Sequence, residues 1–358
     1  MKYLVSIEHP AWAHQFRHVI KSLQGKGHEV KVVAIKKDVD LELLDAFGIP
    51  YEVISPSSGK NLLEKVIIAI TTSIRIFRAS WKFRPDLYFG RASPMMALNA
   101  FLFRKPHVIF EDTEHSRACL SVCRVFSSVI ITPECFIGDL GRKQVRVPIF
   151  KELFYLHPAV FRPDPGSLAK VRLSPGEPFI ILRLIAWDAH HDVGQHGIED
   201  STSLVRELER FGRVLISSES GVPATLAPFQ LRIPPEIFHD LLACATMHIG
   251  EGATVAVESA LLGTPSLYVS SLAGCMGNLR EFEDRYRLIY SFRDTRDAIG
   301  KALELLEKGS LKEEWAGKRD AILRNTINPS AFFVWLLENY PACLGELRGD
   351  PGVLERFR

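Results

Sequence analysis

Short apolar runs alternate with helical stretches twice over in this 358-residue chain, and no other feature limits its fold so tightly. Runs of this length, rich in Val, Ile and Leu and separated by helices, are what parallel strands covered on both faces look like. The first series places strands at 3–7, 28–35, 51–54, 86–89, 107–110 and 129–132, with helices at 13–26, 40–47, 62–82 and 94–103. Gly27 and Gly48 close the first two helices. The second series places strands at 179–184, 214–217, 247–250 and 266–270, with helices at 203–211, 235–245 and 254–262. Between them stand prolines 148, 158, 163, 165, 175 and 178, each removing a backbone donor, and they mark a domain connection. The reading is an α/β chain of two doubly wound parallel-sheet domains, 1–160 and 161–345, facing a cleft.

Charge narrows the partners. Lys and Arg number 44 against 42 Asp and Glu, a net +2, too little for a surface that binds nucleic acid by neutralising phosphates. Six cysteines at irregular spacing, with no CxxC pair, read as reduced core residues of a cytoplasmic protein. The first apolar run meets Glu8 and His9 before reaching signal-peptide length, so no export signal is expected. The most apolar window, 66–74, falls far short of the roughly 20 residues that span a bilayer.

Ligands of open α/β sheets lie beyond the carboxyl ends of the strands, so the loops starting near Glu8, Gly90, Glu111, residue 186, Ser218, Glu251 and Ser271 carry the search for chemistry. In the segment from Gly250 to Pro265, Gly252 and Ala253 let a backbone approach a ligand. The amides of a helix starting near Thr254 suit a diphosphate. Glu258, one turn inside, is placed to accept hydrogen bonds from ribose hydroxyls, or else is a solvated or capping carboxylate on a packed helix. Glu111-Asp112-Thr113-Glu114-His115 puts three carboxylates and an imidazole at one strand end. Crowded carboxylates raise one another's pKa, which suits proton transfer; the alternative is that Asp112 or Thr113 caps the next helix and His115 meets a backbone carbonyl. Glu8, His9 and His14 stand in the first loop and its helix, with His18 one turn beyond His14; a zinc reading lacks a third ligand. Asp188, His190, His191, Asp192 and His196 crowd the loop after the strand at 179–184, and their spacing suits phosphate or sugar contact better than a metal cage. Ser217, Ser218 and Glu219 line the same cleft, and 231–234 is where a base would rest. Asp38-Val-Asp40 looks like a metal-binding Asp-x-Asp, but Asp40 is placed to cap the helix that follows.

The segment from Gly252 to Pro265 resembles the second-domain signature of GT-B nucleotide-sugar enzymes, notably the transferase of peptidoglycan lipid II synthesis and the non-hydrolysing UDP-N-acetylglucosamine 2-epimerases. The whole chain resembles still more a domain-of-unknown-function family of GT-B-like proteins. The shared segments are Ile7-Glu-His-Pro, Pro85-Asp, Glu111-Asp-Thr-Glu-His, Tyr155-Leu-His-Pro, Asp192-Val-Gly-Gln, Ser217-Ser-Glu, and Gly252-Ala-Thr through Gly263-Thr-Pro, spread over nearly all of 1–295. The resemblance implies two Rossmann-like domains, with Gly252, Ala253, Thr254 and Glu258 holding a nucleotide, the 188–191 loop near its diphosphate, and the last helices crossing back to the first domain. It implies a catalytic base among Glu8, His9, His14, Asp112, Glu114 and His115, with no metal and no cofactor beyond the nucleotide-sugar substrate. Two departures stand out. That family favours Asp-x-Asn-His-Pro where this chain has Ser6-Ile7-Glu8-His9-Pro10. The Gly-Thr-Arg-Pro-Glu of the epimerases is absent, leaving Arg17 or Arg91 to supply a cation.

The function expected is transfer of a sugar from a nucleotide donor to a glycan or lipid-linked acceptor. Its rivals are 2-epimerisation and nucleotide-sugar binding without turnover. Finally, Leu63, Ile67, Ile70, Ile74, Phe77 and Trp81 share one face of the helix at 62–84, with Arg75, Arg78, Lys82 and Arg84 at one end. Two readings fit: peripheral contact with the inner membrane face, or an ordinary helix laying its stripe on the sheet.

Overall fold

The computed structural model describes residues 1–36, 40–55, 62–114, 116–185, 196–219 and 221–358. Contacts divide the chain into two units, Met1–Val160 with Thr326–Arg358, and Phe161–Asn325. Unit 1 runs β1 (Lys2–Ile7), α1 (Pro10–Gly25), β2 (Glu29–Ile35), α2 (Asp40–Ala46), β3 (Tyr51–Ser55), α3 (Leu62–Phe83), β4 (Leu87–Gly90), α4 (Pro94–Leu102), β5 (His107–Phe110), α5 (Arg117–Phe126), β6 (Val129–Pro133), β7 (Gln144–Val147) and the short α6 (Leu153–Leu156). Its seven strands are all parallel, in the order β3-β2-β1-β4-β5-β6-β7. Strands β4, β5 and β6 are buried along their whole length, as a sheet covered on both faces requires.

Unit 2 runs β8 (Phe179–Leu184), α7 (Ser201–Leu208), β9 (Arg213–Ser218), α8 (Phe238–Cys244), β10 (Met247–Gly250), α9 (Ala253–Leu261), β11 (Ser266–Val269), α10 (Gly277–Arg280), β12 (Ile289–Phe292), α11 (Thr295–Leu306) and α12 (Leu311–Asn325). Its five parallel strands lie in the order β12-β11-β10-β8-β9. The chain then returns to unit 1 as α13 (Pro329–Glu338) and α14 (Cys343–Gly349). Asn328 caps α13 by accepting from the Ala331 amide, and Pro329 suits its first position. Phe333 then packs 5.1 Å from Phe154 and 6.2 Å from Phe16, ring centre to ring centre. The Tyr3 hydroxyl donates to the Leu337 carbonyl at 3.3 Å.

Four details differ from the sequence reading. The first helix begins at Pro10, earlier than 13, because the His9 side chain caps it and proline is favoured at its first position. Strands β7 and β12 are additional; their polar residues, Gln144 and Arg146 in one and Ser291 in the other, hide them from a search for apolar runs, as expected of edge strands. Of the cysteines expected in the core, Cys275 is exposed. The stripe on α3 faces away from the sheet: Thr72, Ile76, Ala79 and Ser80 are buried, whereas Ile67, Ile70, Ile74, Phe77 and Trp81 are exposed. Small side chains let the helix sit close to Leu4, Val33 and Tyr88. No helix among the described residues is long and apolar enough to cross a membrane.

Candidate functional site

Each unit has one place where its strand order reverses, between β1 and β4 in unit 1 and between β8 and β10 in unit 2. Such switch points leave a crevice beyond the carboxyl ends of the strands. In unit 1 the crevice is entered by Glu8 after β1, Arg91 after β4 and Glu111 after β5. Gly90 ends β4 at φ 156°, a conformation that strains any other residue, and the chain turns there so that Arg91 points inward.

Arg91 is buried and anchors a cluster. Its Nη2 donates to Glu111 Oε1, to Asp112 Oδ1 at 2.6 Å and to Thr113 Oγ1 at 3.1 Å, while Nη1 donates to Gln15 Oε1 at 3.2 Å. Glu111 also accepts from the amides of Asp112, Thr113 and Ala92. Lys151 Nζ lies 3.7 Å from Asp112 Oδ2 and 3.3 Å from Glu152 Oε1. Burial alone disfavours the charged form of Asp112, but Arg91 and Lys151 outweigh it and hold the carboxyl down at about 2. The expectation that crowding raises this carboxylate is therefore corrected: two cations from outside the motif dominate. The carboxyl pushed upward is Glu8, through burial, with the Ser93 and Ser6 hydroxyls offsetting only part of the shift.

The remaining sequence candidates of unit 1 lie elsewhere. His9 is exposed, and its Nδ1 accepts from the Ala11 amide as the cap of α1. The His14 ring packs between Phe47 and Tyr155, with centres 5.3 and 5.4 Å away. Glu114 turns to the neighbouring loop, where its Oε1 accepts from the Ile137 amide at 3.2 Å. His115 lies outside the described residues. Arg91, named from the sequence only as a spare cation, is the residue that gathers the cluster.

In unit 2, Gly252 opens α9 and brings no side chain to cap it. The first amides of this helix point out at the switch point, a ready setting for an anion. Gly250, just before it, is required by space. A Cβ there would stand 2.8 Å from Arg183 Cβ and 2.8 Å from His248 Nε2. Glu258 is buried one turn into the helix, and its Oε1 lies 3.2 Å from His239 Nε2 on α8. Glu251 is buried too, and holds the loop ends, accepting from the Ile185 amide at 2.8 Å and the Ile198 amide at 2.7 Å. Arg183, on β8, donates to Ser217 Oγ at 2.6 Å and to Glu219 Oε1 at 2.6 Å. Glu219 is thus ion-paired rather than held out for a ligand, while the Ser218 Oγ is buried beside it. Residue 231 joins this edge, its amide donating to the Ile216 carbonyl. Asp188, His190 and His191 lie outside the described residues. His239 and Arg183 were missed from the sequence, each a single polar residue in an otherwise ordinary element, and Glu251 was named only as the start of its loop; only packing reveals their partners. Among the described residues no three His, Cys, Asp or Glu side chains converge to hold a metal ion.

In sequence the chain matches no protein-family model and no curated protein. Its likeness is to solved structures. The UDP-GlcNAc 2-epimerase of Neisseria meningitidis, solved bound to UDP-GlcNAc, superposes with a TM-score of 0.66 at 15% identity, over 95% of this chain and 100% of that one. The glycosyltransferase SsfS6 of Streptomyces sp. SF2575 gives 0.62 at 13% identity, over 94% and 99%. The UDP-GlcNAc 2-epimerase of Methanocaldococcus jannaschii gives 0.59 at 14%, over 86% and 94%. With two parallel-sheet α/β units and these likenesses, the chain has the GT-B-like fold that UDP-GlcNAc 2-epimerases and GT-B glycosyltransferases share.

Proposed function

We propose that the chain is a metal-independent glycosyltransferase that moves a sugar from a nucleotide donor to a glycan or lipid-linked acceptor on the cytoplasmic side of the membrane, in cell-surface glycan or glycolipid synthesis. The observation that carries this reading is the start of α9 at the switch point of unit 2, where Gly252 brings no capping side chain, with buried Glu258 one turn behind it. The diphosphate rests against the amides of Gly252, Ala253 and Thr254, and Glu258, steadied by His239, accepts from the ribose hydroxyls. Ser218 and the loop of Asp188, His190 and His191 complete the donor side.

Unit 1 supplies the acceptor side. Two carboxyls there are driven apart in pKa, Asp112 down and Glu8 up, and such a division separates a fixed charge from a proton-transfer group. Glu8 takes the proton of the acceptor hydroxyl as its oxygen bonds to the anomeric carbon. The bond from that carbon to the diphosphate breaks, and the helix dipole stabilises the charge the diphosphate carries away.

A thermal-shift panel of UDP-, GDP-, dTDP- and CMP-sugars tests the donor site. At least one nucleotide should stabilise the protein, and Glu258→Ala should remove the shift; if none does, the assignment is wrong. Epimerisation is the second reading, favoured by the likeness to the Neisseria meningitidis enzyme along its full length. Incubation with UDP-N-acetylglucosamine alone in deuterated water separates the two. Uptake of deuterium at C2 establishes the epimerase, and its absence together with acceptor-dependent release of UDP establishes the transferase.

A further inference from the structure

The apolar face of α3 does not end at its own helix. Phe77 stacks on Trp81 with ring centres 6.3 Å apart and meets Phe103 at 5.0 Å, while Phe101 at the end of α4 meets Phe126 of α5 at 5.1 Å. Leu98, Phe101 and Leu102 of α4 and Val125 of α5 are exposed alongside, so side-by-side helices present one apolar surface. Trp81 is 65% exposed, Leu102 64% and Ile70 55%, far more than a helix needs to show to water. From Val66 to Trp81 the row extends about 22 Å at the usual helical rise.

Around it basic charge predominates. Leaving out Arg91, which is buried in the unit 1 cluster, residues 62–105 hold seven Lys and Arg against two acidic residues, Glu64 and Asp86. Arg78, Lys82, Arg84, Arg104, Lys105 and Arg124 are exposed at the rim. Asp86 is engaged, accepting from the Lys2 amide and lying 3.8 Å from Lys105. A recess of about 310 Å³ lined by Phe77, Arg78, Trp81 and Lys82 sets aromatic rings beside two cations.

We propose that this face of unit 1 docks on an anionic lipid bilayer, α3 lying in the interfacial plane with its aliphatic row in the acyl boundary and the rim cations on headgroup phosphates. An apolar ridge with aromatic rings and predominantly basic flanks is the pattern of a helix lying on a membrane. A second copy of the chain is the poorer occupant, because a two-fold pairing lays one cationic rim against another. Helix α4 of this face follows directly on a loop of the unit 1 cluster, since Ser93 both caps α4 and steadies Glu8. The inference deepens the transferase reading by making the acceptor lipid-borne, and rests on that reading for the acceptor alone.

The test is sedimentation of the full chain with vesicles of phosphatidylcholine, pure or mixed with phosphatidylglycerol, in the absence of nucleotide. Binding is expected to the mixed vesicles and to weaken with added salt. The variant Ile70→Ser/Ile74→Ser/Trp81→Ser should lose more than about tenfold in affinity, and Arg78→Ser and Lys82→Ser about fivefold each. All the altered side chains are exposed, and unchanged unfolding temperatures should accompany the losses. No binding to the mixed vesicles, or equal binding by the variants, overturns the proposal. So does a dimer in sedimentation equilibrium that the triple variant abolishes while lipid is ignored. The nucleotide shift is read without vesicles, so failure of one reading leaves the other measurable.

Discussion

Replacing Arg91 by Met removes one guanidinium from four side chains, those of Gln15, Glu111, Asp112 and Thr113, and leaves two buried carboxylates with reduced compensation. Breaking a buried ion pair from one side costs about 3–5 kcal/mol. Part of this cost depends on pH, and its sign follows from Asp112. Its carboxyl is held at about 2 in the folded protein against 3.8 for the free group, a difference worth about 2 kcal/mol. Because the folded value is the lower one, that stability is fully present well above 3.8 and is lost as pH falls toward 2. In Arg91→Met the same carboxyl has lost its strongest cation and takes up a proton at higher pH, which relieves the variant while the wild type weakens. Urea unfolding at pH 7 and pH 3 should therefore show a gap of about 3–5 kcal/mol that narrows by about 2 kcal/mol on acidification. Adding Glu111→Gln and Asp112→Asn to Arg91→Met should recover much of the loss at pH 7, since no buried charge is then stranded. A gap that stays constant with pH, or a charge-free variant no better than Arg91→Met, would refute the argument that the cluster is held by charge.

Two further outcomes follow from the sites. Gly250→Ala should destabilise unit 2 by about 1–3 kcal/mol, because the new methyl group meets Arg183 and His248 at 2.8 Å; urea unfolding reads this. Glu8→Gln should lower acceptor-dependent turnover by about a hundredfold or more while leaving the nucleotide thermal shift unchanged. Since burial raises the Glu8 carboxyl, turnover of the wild type should climb with pH through a value above the ordinary carboxylate range, and the variant should lack that limb.

The alternation of apolar runs and helices made the parallel sheets legible, because strands covered on both faces must be apolar throughout. The edge strands β7 and β12 were hidden by the same logic, being half wet. Periodicity also told which residues of α3 share a face without telling which way that face points. Ile76 took the inner position together with the small Thr72, Ala79 and Ser80, and the other large side chains of the stripe were left outside. At the sites the loops could be named, but their partners could not. Asp112 and Lys151 stand 39 positions apart in the chain, and Glu258 and His239 19, so the charges that set their behaviour arrive only with the fold.

The return of α13 to unit 1 has a consequence for the order of events on the ribosome. Phe16, Phe110 and Phe154 form a nest of rings that Phe333 closes, and Lys26 and His28 wait for Glu338. Unit 2 is continuous in sequence and is complete once Asn325 has been made, whereas unit 1 stays unsealed until the last helices follow. Domains fold as units during synthesis, so the inserted unit finishes before the one that was started first. A growing chain therefore carries an open aromatic nest from the time Phe154 is made until Phe333 follows, and a stop codon near residue 325 would leave unit 2 intact and unit 1 a target for chaperones and proteases.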